Sequence, residues 1–180
     1  MSNQVKTLVI MAHPELNQSR INKRLAAEAE ERANVTVHHL YTAYPDENID
    51  VVHEQQLLEA HDRIVLQFPF YWYSSPSLLK KWQDTVLQYG WAYGTGGYKL
   101  HGKELIIAIS SGGPQEAYQA GGPNHYTYSE LLRPFQATAN LLGMTFRRPF
   151  IVSGIRGISD EQLEEYASQY GNYIQGPPLD

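Results

Sequence analysis

Short apolar runs alternate along this chain with longer stretches of helical period, and that alternation predicts most of its elements. Thr7–Ala12 (TLVIMA) is a continuous apolar run closed by Pro14 and predicts a buried strand. Ser19 is placed to cap a helix over 19–33, in which Ile21, Leu25, Ala29 and Ala33 recur at helical spacing. Val35–Leu40 alternates as a strand with one exposed face, and Tyr44-Pro45-Asp46-Glu47 breaks the pattern. A short helix over 51–60 follows, then a third strand over Arg63–Phe68 and a third helix over 76–88. Glu104–Ser110 (ELIIAIS) predicts a fourth strand, and Ser129–Leu142 a helix with Pro134 near its start. Thr145–Val152 predicts a fifth strand and Ser159–Ile174 a last helix, with Gly176-Pro177-Pro178 ending the fold. Strands alternating with helices call for a parallel sheet covered on both faces. Five such units without repeat or linker predict strand order 2-1-3-4-5 in a single domain over residues 1–180.

Composition narrows the chemistry. At 42% hydrophobic and 18% charged, 180 residues can bury a sizeable core beneath a weakly charged surface. A net charge of −5 with no basic run argues against nucleic-acid binding. The chain has no cysteine, which excludes disulfides, thiolate metal sites, Fe–S clusters and cysteine nucleophiles. His38, His39, His53 and His61 form no spaced ligand set with nearby carboxylates, so they read as surface or packing residues and no metal site is expected. There is no Gly-x-Ser-x-Gly, and Glu164-Glu165 reads as a solvated face. The apolar stretch before His13-Pro14 is about five residues, too short for a signal-peptide core or for the roughly 20 residues of a membrane span. A cytoplasmic protein is expected, touching a membrane only through a partner.

The loops after strands 1, 3 and 4 converge at one end of such a sheet, where ligands bind. After strand 1, His13 precedes a helix N-terminus at Ser19-Arg20-Ile21-Asn22, whose outward amides suit a phosphate; an ordinary capped helix is the plainer alternative. After strand 3 comes Phe70-Tyr71-Trp72-Tyr73, poor loop material unless it covers something flat or packs in an interface. After strand 4, Ser110-Ser111-Gly112-Gly113 offers backbone that a ligand can approach closely, or a simple turn.

Gln67-Phe68-Pro69, Trp72-Tyr73, Pro76, Leu79-Lys80 and Trp82 together resemble the signature of flavodoxin-like NAD(P)H:quinone oxidoreductases. The resemblance covers roughly residues 6–155 and is greatest to the short bacterial members, which include ancillary subunits of glutathione-gated potassium efflux systems. It implies a flavodoxin-like three-layer α/β sandwich with bound FMN (FAD is the alternative), NAD(P)H as co-substrate and a quinone or related acceptor. It also implies two-electron, ping-pong transfer in a homodimer with two interfacial sites. By the same resemblance, His13 and Ser19–Asn22 hold the flavin phosphate and ribityl chain, while Phe70–Tyr73 and Ser110–Gly113 hold the ring. Family members carry a Tyr and a His after their Gly-Gly that assist proton and charge balance. Tyr118 falls at the matching distance from Gly113, but His125 falls one residue late, with Asn124 at the strict match. Tyr126 and Tyr128 are expected at the pocket, and Gly90–Gly97 is the segment that packs across the family's dimer. The alternative function is a regulatory ancillary subunit of a potassium efflux transporter. A one-electron flavodoxin is disfavoured, because such carriers are more acidic.

Overall fold

The computed structural model describes residues 5–177, so Pro178 lies outside the described residues. Six strands, β1 (Thr7–Met11), β2 (Val35–His39), β3 (Arg63–Pro69), β4 (Glu104–Ser110), β5 (Thr145–Phe146) and β6 (Phe150–Val152), form one parallel sheet. Its order is β2-β1-β3-β4-β5, with β6 also on β4. Helices α1 (Arg20–Glu30) and α7 (Asp160–Gln175) cover one face. The other face is covered by α2 (Leu40–Ala43), α3 (Val51–Glu59), α4 (Ser77–Val86), α5 (Tyr128–Leu131) and α6 (Arg133–Leu141). The strand period of two sorts the core between these layers. Ile64, Leu66 and Phe68 pack toward α4 and α6, while Val65 packs toward α1 and α7.

Two expected elements are broken, and proline explains both. The helix expected over Ser129–Leu142 stops at Leu132, because Pro134 has no N–H to bond the Glu130 carbonyl. It restarts as α6 with the proline in the first turn, where that N–H is not needed. The strand expected over Thr145–Val152 divides around Pro149. Thr145 and Phe146 pair with Glu104 and Leu105, whereas Phe150 pairs with Ala108. Three residues (147–149) thus face two (106–107), the count of a β-bulge. The helix expected over 19–33 ends at Glu30, and the one over 76–88 runs from Ser77 to Val86. Leu40 opens the short α2 rather than closing β2.

Charges read as solvated are partly structural. Glu164 pairs with Arg24 at 2.7 Å across α1 and α7. His39 meets Glu30, and His38 Nε2 lies 2.8 Å from Glu54 Oε1. Among the described residues no cluster of three or more His, Asp or Glu is placed to hold a metal.

Two buried polar clusters tie elements together, one at the amino edge of the sheet and one between helices. At the amino edge Arg63, fully buried, donates to Glu104 at 2.6 Å and to the carbonyls of Ile174, Gly176 and Pro177. Arg147 joins the same carboxylate and Pro177, so two guanidiniums pin the end of α7 beneath the strands. Between α3 and α4, the buried Glu54 carboxylate accepts from Tyr44 Oη at 2.6 Å and Trp82 Nε1 at 2.7 Å. Burial pushes this carboxyl up, but contacts from His38, Tyr44 and Trp82 outweigh it and hold the group below the ordinary carboxylate value.

Glu54→Ala leaves an indole N–H and a phenol without their acceptor. It should lower unfolding free energy by about 3 kcal/mol in urea denaturation. Because the folded pKa is depressed, the charge contribution is complete above the unfolded carboxylate value and is lost as pH falls through the folded one. The gap between wild type and Glu54→Gln should therefore narrow on acidification, and a gap that widens would contradict this assignment.

Candidate functional site

The strand order reverses between β1 and β3, so the loops leaving these two strands diverge and open a crevice at the carboxyl edge. The loop after β1 reaches α1 through a short 3-10 turn at Leu16–Gln18. Ser19 caps α1, its Oγ accepting the Asn22 amide at 3.2 Å. That bond uses one of the amides expected to point outward; Arg20 and Ile21 carry the remaining first-turn amides. Their side chains turn elsewhere. Arg20 binds Asp160 at 2.6 Å and the Ile158 carbonyl at 2.9 Å, and Ile21 lies in the core against α7. His13 is half-buried, and its Nδ1 accepts the Glu15 amide at 3.0 Å. Burial lowers its pKa, partly opposed by Glu15, so the ring is neutral at pH 7 with its proton on Nε2.

Asn22 is an interior residue rather than a surface donor. Its Nδ2 donates to Ser110 Oγ at 2.8 Å, and its carbonyl accepts from Gln67 Nε2 at 3.1 Å. Gln67 Oε1 in turn accepts from Tyr170 Oη at 2.8 Å. Asn22 Oδ1 is buried without a partner. Turning the amide over would only exchange which of its atoms is left unpaired. A buried polar atom in this condition is unusual; Oδ1 suits a donating ligand hydroxyl, and with the amide turned over Nδ2 would suit a phosphate oxygen.

The aromatic turn is strained. Trp72 and Tyr73 have φ of 48° and 59°, and the Ser74 amide closes onto the Tyr71 carbonyl at 2.9 Å. Two positive φ values at the centre of a tight turn normally require Asn or Gly. Bulky side chains there cost about 1–2 kcal/mol each. Strain of this kind concentrates where geometry serves a ligand. Trp72 is 92% exposed, Tyr71 and Tyr73 about half that, and Phe70 is half-buried. The Phe70 amide donates to the Ser110 carbonyl at 2.9 Å, tying the turn to the end of β4.

Beyond β4, Ser110 and Ser111 are buried and Gly112 is exposed. A Cβ on Gly112 would meet nothing within 4 Å, whereas one on Gly113 would lie 3.0 Å from the Tyr118 ring. The two glycines therefore differ: Gly113 makes room for Tyr118, and Gly112 faces open space. Tyr118 is buried and stacks on Tyr128 with centroids 4.0 Å apart, and both rings lean on Phe70. Tyr128, buried rather than lining open space, bonds Ser111 Oγ through its hydroxyl, and burial pushes that phenol up to about 12. His125 is exposed with φ of 61°. Asn124, not His125, meets the aromatic turn, accepting from Tyr73 Oη at 3.2 Å. Gly90–Gly97 is firmly built: Trp91 Nε1 donates to Glu59 at 2.8 Å, and a Cβ on Gly97 would collide with the Tyr93 backbone at 2.2 Å.

The structure thus brings His13, Ser19, Phe70–Tyr73 and Ser110–Gly113 to one edge, sets Arg20 and Ile21 beneath or beside it, and leaves His125 exposed next to Asn124. Sequence reading missed Gln67 and Tyr170 as supports of the floor. The signal was present in Gln67, a polar residue inside the apolar run IVLQF, which a buried strand tolerates only with a partner.

Comparison with known proteins agrees with this architecture. A family model described as a flavodoxin-like fold matches residues 5–174. A Bacillus subtilis (strain 168) protein named uncharacterized NAD(P)H oxidoreductase YrkL is 53% identical, over 95% of this chain and 98% of that protein. The glutathione-regulated potassium-efflux system ancillary protein KefG of Pectobacterium atrosepticum is 47% identical, over 98% and 97%. Among solved structures, general stress protein 14 of Treponema denticola in complex with FMN is 40% identical, with TM-score 0.89 over 94% of this chain and 97% of that one. An NADPH-quinone reductase from P. pentosaceus is 39% identical, with TM-score 0.89 over 96% and 99%. Alignments of this length and identity extend far past the sheet into every loop at its carboxyl edge, and the chain belongs to the family with the flavodoxin-like fold.

Proposed function

We propose that this protein is an FMN-dependent NAD(P)H oxidoreductase that reduces quinones. The observation that carries the reading is the unpartnered Asn22 Oδ1 behind the first turn of α1, and a Cβ on Gly112, two residues beyond its partner Ser110, would meet only open space. The FMN complex of the Treponema denticola relative, at 40% identity, supports it. A bound FMN would supply two-electron hydride transfer between NAD(P)H and the quinone, in ping-pong order. The residues present fit that group. The amides of Arg20 and Ile21 and the Ser19 cap would hold the phosphate at the positive end of α1. Neutral His13 would donate to a phosphate or ribityl oxygen through Nε2. Phe70–Tyr73 would wall the ring, and the Ser111–Gly113 backbone would stabilise negative charge at its pyrimidine edge. Tyr118, held by Tyr128 and Gly113, and the exposed His125, on a segment joined to it through the Asn124 amide and the Ala117 carbonyl, are the proton-handling candidates.

A homodimer is part of this reading. A groove of about 320 Å³ between α4 and α6, lined by Tyr73, Leu87, Tyr93, Phe135 and Leu141, supports it, because Leu141 is 63% exposed. A second role, as ancillary subunit of a potassium-efflux system, is favoured by the 47% identity to KefG. Among the described residues no helix is long and apolar enough to cross a membrane, so that role would need a membrane partner.

Purified protein should show flavin absorbance that bleaches with anaerobic NAD(P)H and returns on adding a benzoquinone. Protein that stays colourless and binds no added FMN would end this reading; flavin that binds but never bleaches would shift it to the ancillary role. Gly112→Val should leave Tm unchanged yet weaken FMN binding at least about tenfold, since only a ligand occupies that space. Gly113→Val should instead lower Tm by displacing Tyr118. Leu141→Glu should shift sedimentation toward the monomer, and an unchanged sedimentation coefficient would remove this groove as the dimer face.

A further inference from the structure

A concavity of about 700 Å³ lies along the outer edge of β6 rather than over the strand ends. It is within the range of small-molecule sites. Its inner wall is the Tyr118–Tyr128 stack, whose other neighbours are Gly113 and Ser111, so cleft and strand-end site share one aromatic partition. Phe150, Tyr166 and Tyr173 add further ring surface, and Gln115, Gln119 and Gln169 add amides able both to donate and to accept. No aspartate or glutamate lines it. Its single cation is Arg148, exposed and in no ion pair among the described residues, although the chain carries a net charge of −5. The bulge explains why this guanidinium is free: Arg147 turns inward to Glu104, and Arg148 faces the cleft.

The geometry points to this cleft as the seat of the adenosine-phosphate half of the nicotinamide dinucleotide, with Arg148 as its phosphate ligand. The inference rests on the reductase reading for the identity of the dinucleotide. A reactive ring at the strand ends needs a place for the remainder of the molecule, and the cleft lies on the other side of the Tyr118–Tyr128 partition. From Val152, paired with Ser110 at the strand ends, back to Arg148 the strand covers about 13 Å, a span within the reach of an extended dinucleotide. Adenine stacks on tyrosine and reads glutamine amides, and a guanidinium is the side chain best matched to phosphate.

The test is calorimetric titration of the FMN-loaded protein with adenosine 2′,5′-bisphosphate and with ADP, in wild type, Arg148→Gln and Arg148→Lys. The bisphosphate should bind the wild type, lose about tenfold in affinity in the Gln variant and recover most of it in the Lys variant. Tighter binding of the bisphosphate than of ADP assigns Arg148 to the 2′-phosphate and selects NADPH. Equal binding, equally weakened, assigns it to the pyrophosphate. In turnover, Arg148→Gln should raise KM for the dinucleotide and leave kcat in place. No binding to wild type, or equal binding to wild type and Arg148→Gln, overturns the inference. Failure of the reductase reading would show separately, as flavin that no dinucleotide bleaches while nucleotide titration still responds.

Discussion

A chain of buried neutral hydrogen bonds runs under the carboxyl edge of the sheet, from Ser110 through Asn22 and Gln67 to Tyr170. It joins β4, α1, β3 and α7, so the helix terminus that faces the crevice is fixed against the two strands whose loops form its walls. Each member is buried, and each bond replaces water that cannot reach it; removing one would leave its neighbour unpaired at a cost of about 1–3 kcal/mol. Tyr170 is held protonated by burial, which keeps the chain uncharged from end to end. The aromatic turn then hangs from this frame through the Phe70 amide and the Ser110 carbonyl. Position is set by the floor, and the loops inherit it.

The sheet was legible because each strand is a dense apolar run, and such runs need only local pattern to be recognised. Alternation with helices implied parallel strands, and the family resemblance supplied their order. Pro134 and Pro149 carried less weight in the pattern than in the fold: a helix over 129–142 and a strand over 145–152 were expected to run past them, and both divide there. The loops of the site were legible as places, since topology sends them to one edge. The assignment of individual side chains was less so. Arg20 looked like a phosphate ligand until its partner Asp160, 140 residues away, took its charge. Asn22 looked like a surface donor because nothing local shows that Ser110 lies behind it. Arg148 was invisible as a ligand, because the bulge that separates it from Arg147 exists only once β4 is alongside.

The two ends of the sheet are built on opposite electrostatic plans. At the amino edge full charges meet: Arg63 and Arg147 share Glu104 and clasp the last carbonyls of the chain. At the carboxyl edge the buried groups are hydroxyls and amides, and the nearest guanidinium, Arg20, is already neutralised. Strength is placed where nothing has to enter or leave. Among the described residues the Ser110–Asn22–Gln67–Tyr170 floor under the crevice carries no buried ion, so filling or emptying it does not strand a charge there.

That neutral edge has an evolutionary consequence. On the proposed reading the pull on a phosphate at the start of α1 would come from peptide dipoles, and peptide dipoles neither titrate nor disappear when a codon changes. Side chains around the helix terminus would then be free to vary, as the pairing of Arg20 with Asp160 illustrates, without erasing the site. What selection must preserve is the backbone path, held by one serine cap and one interior asparagine. Descendants of this scaffold can exchange what they reduce, or whom they report to, while the anchor for the cofactor stays the same.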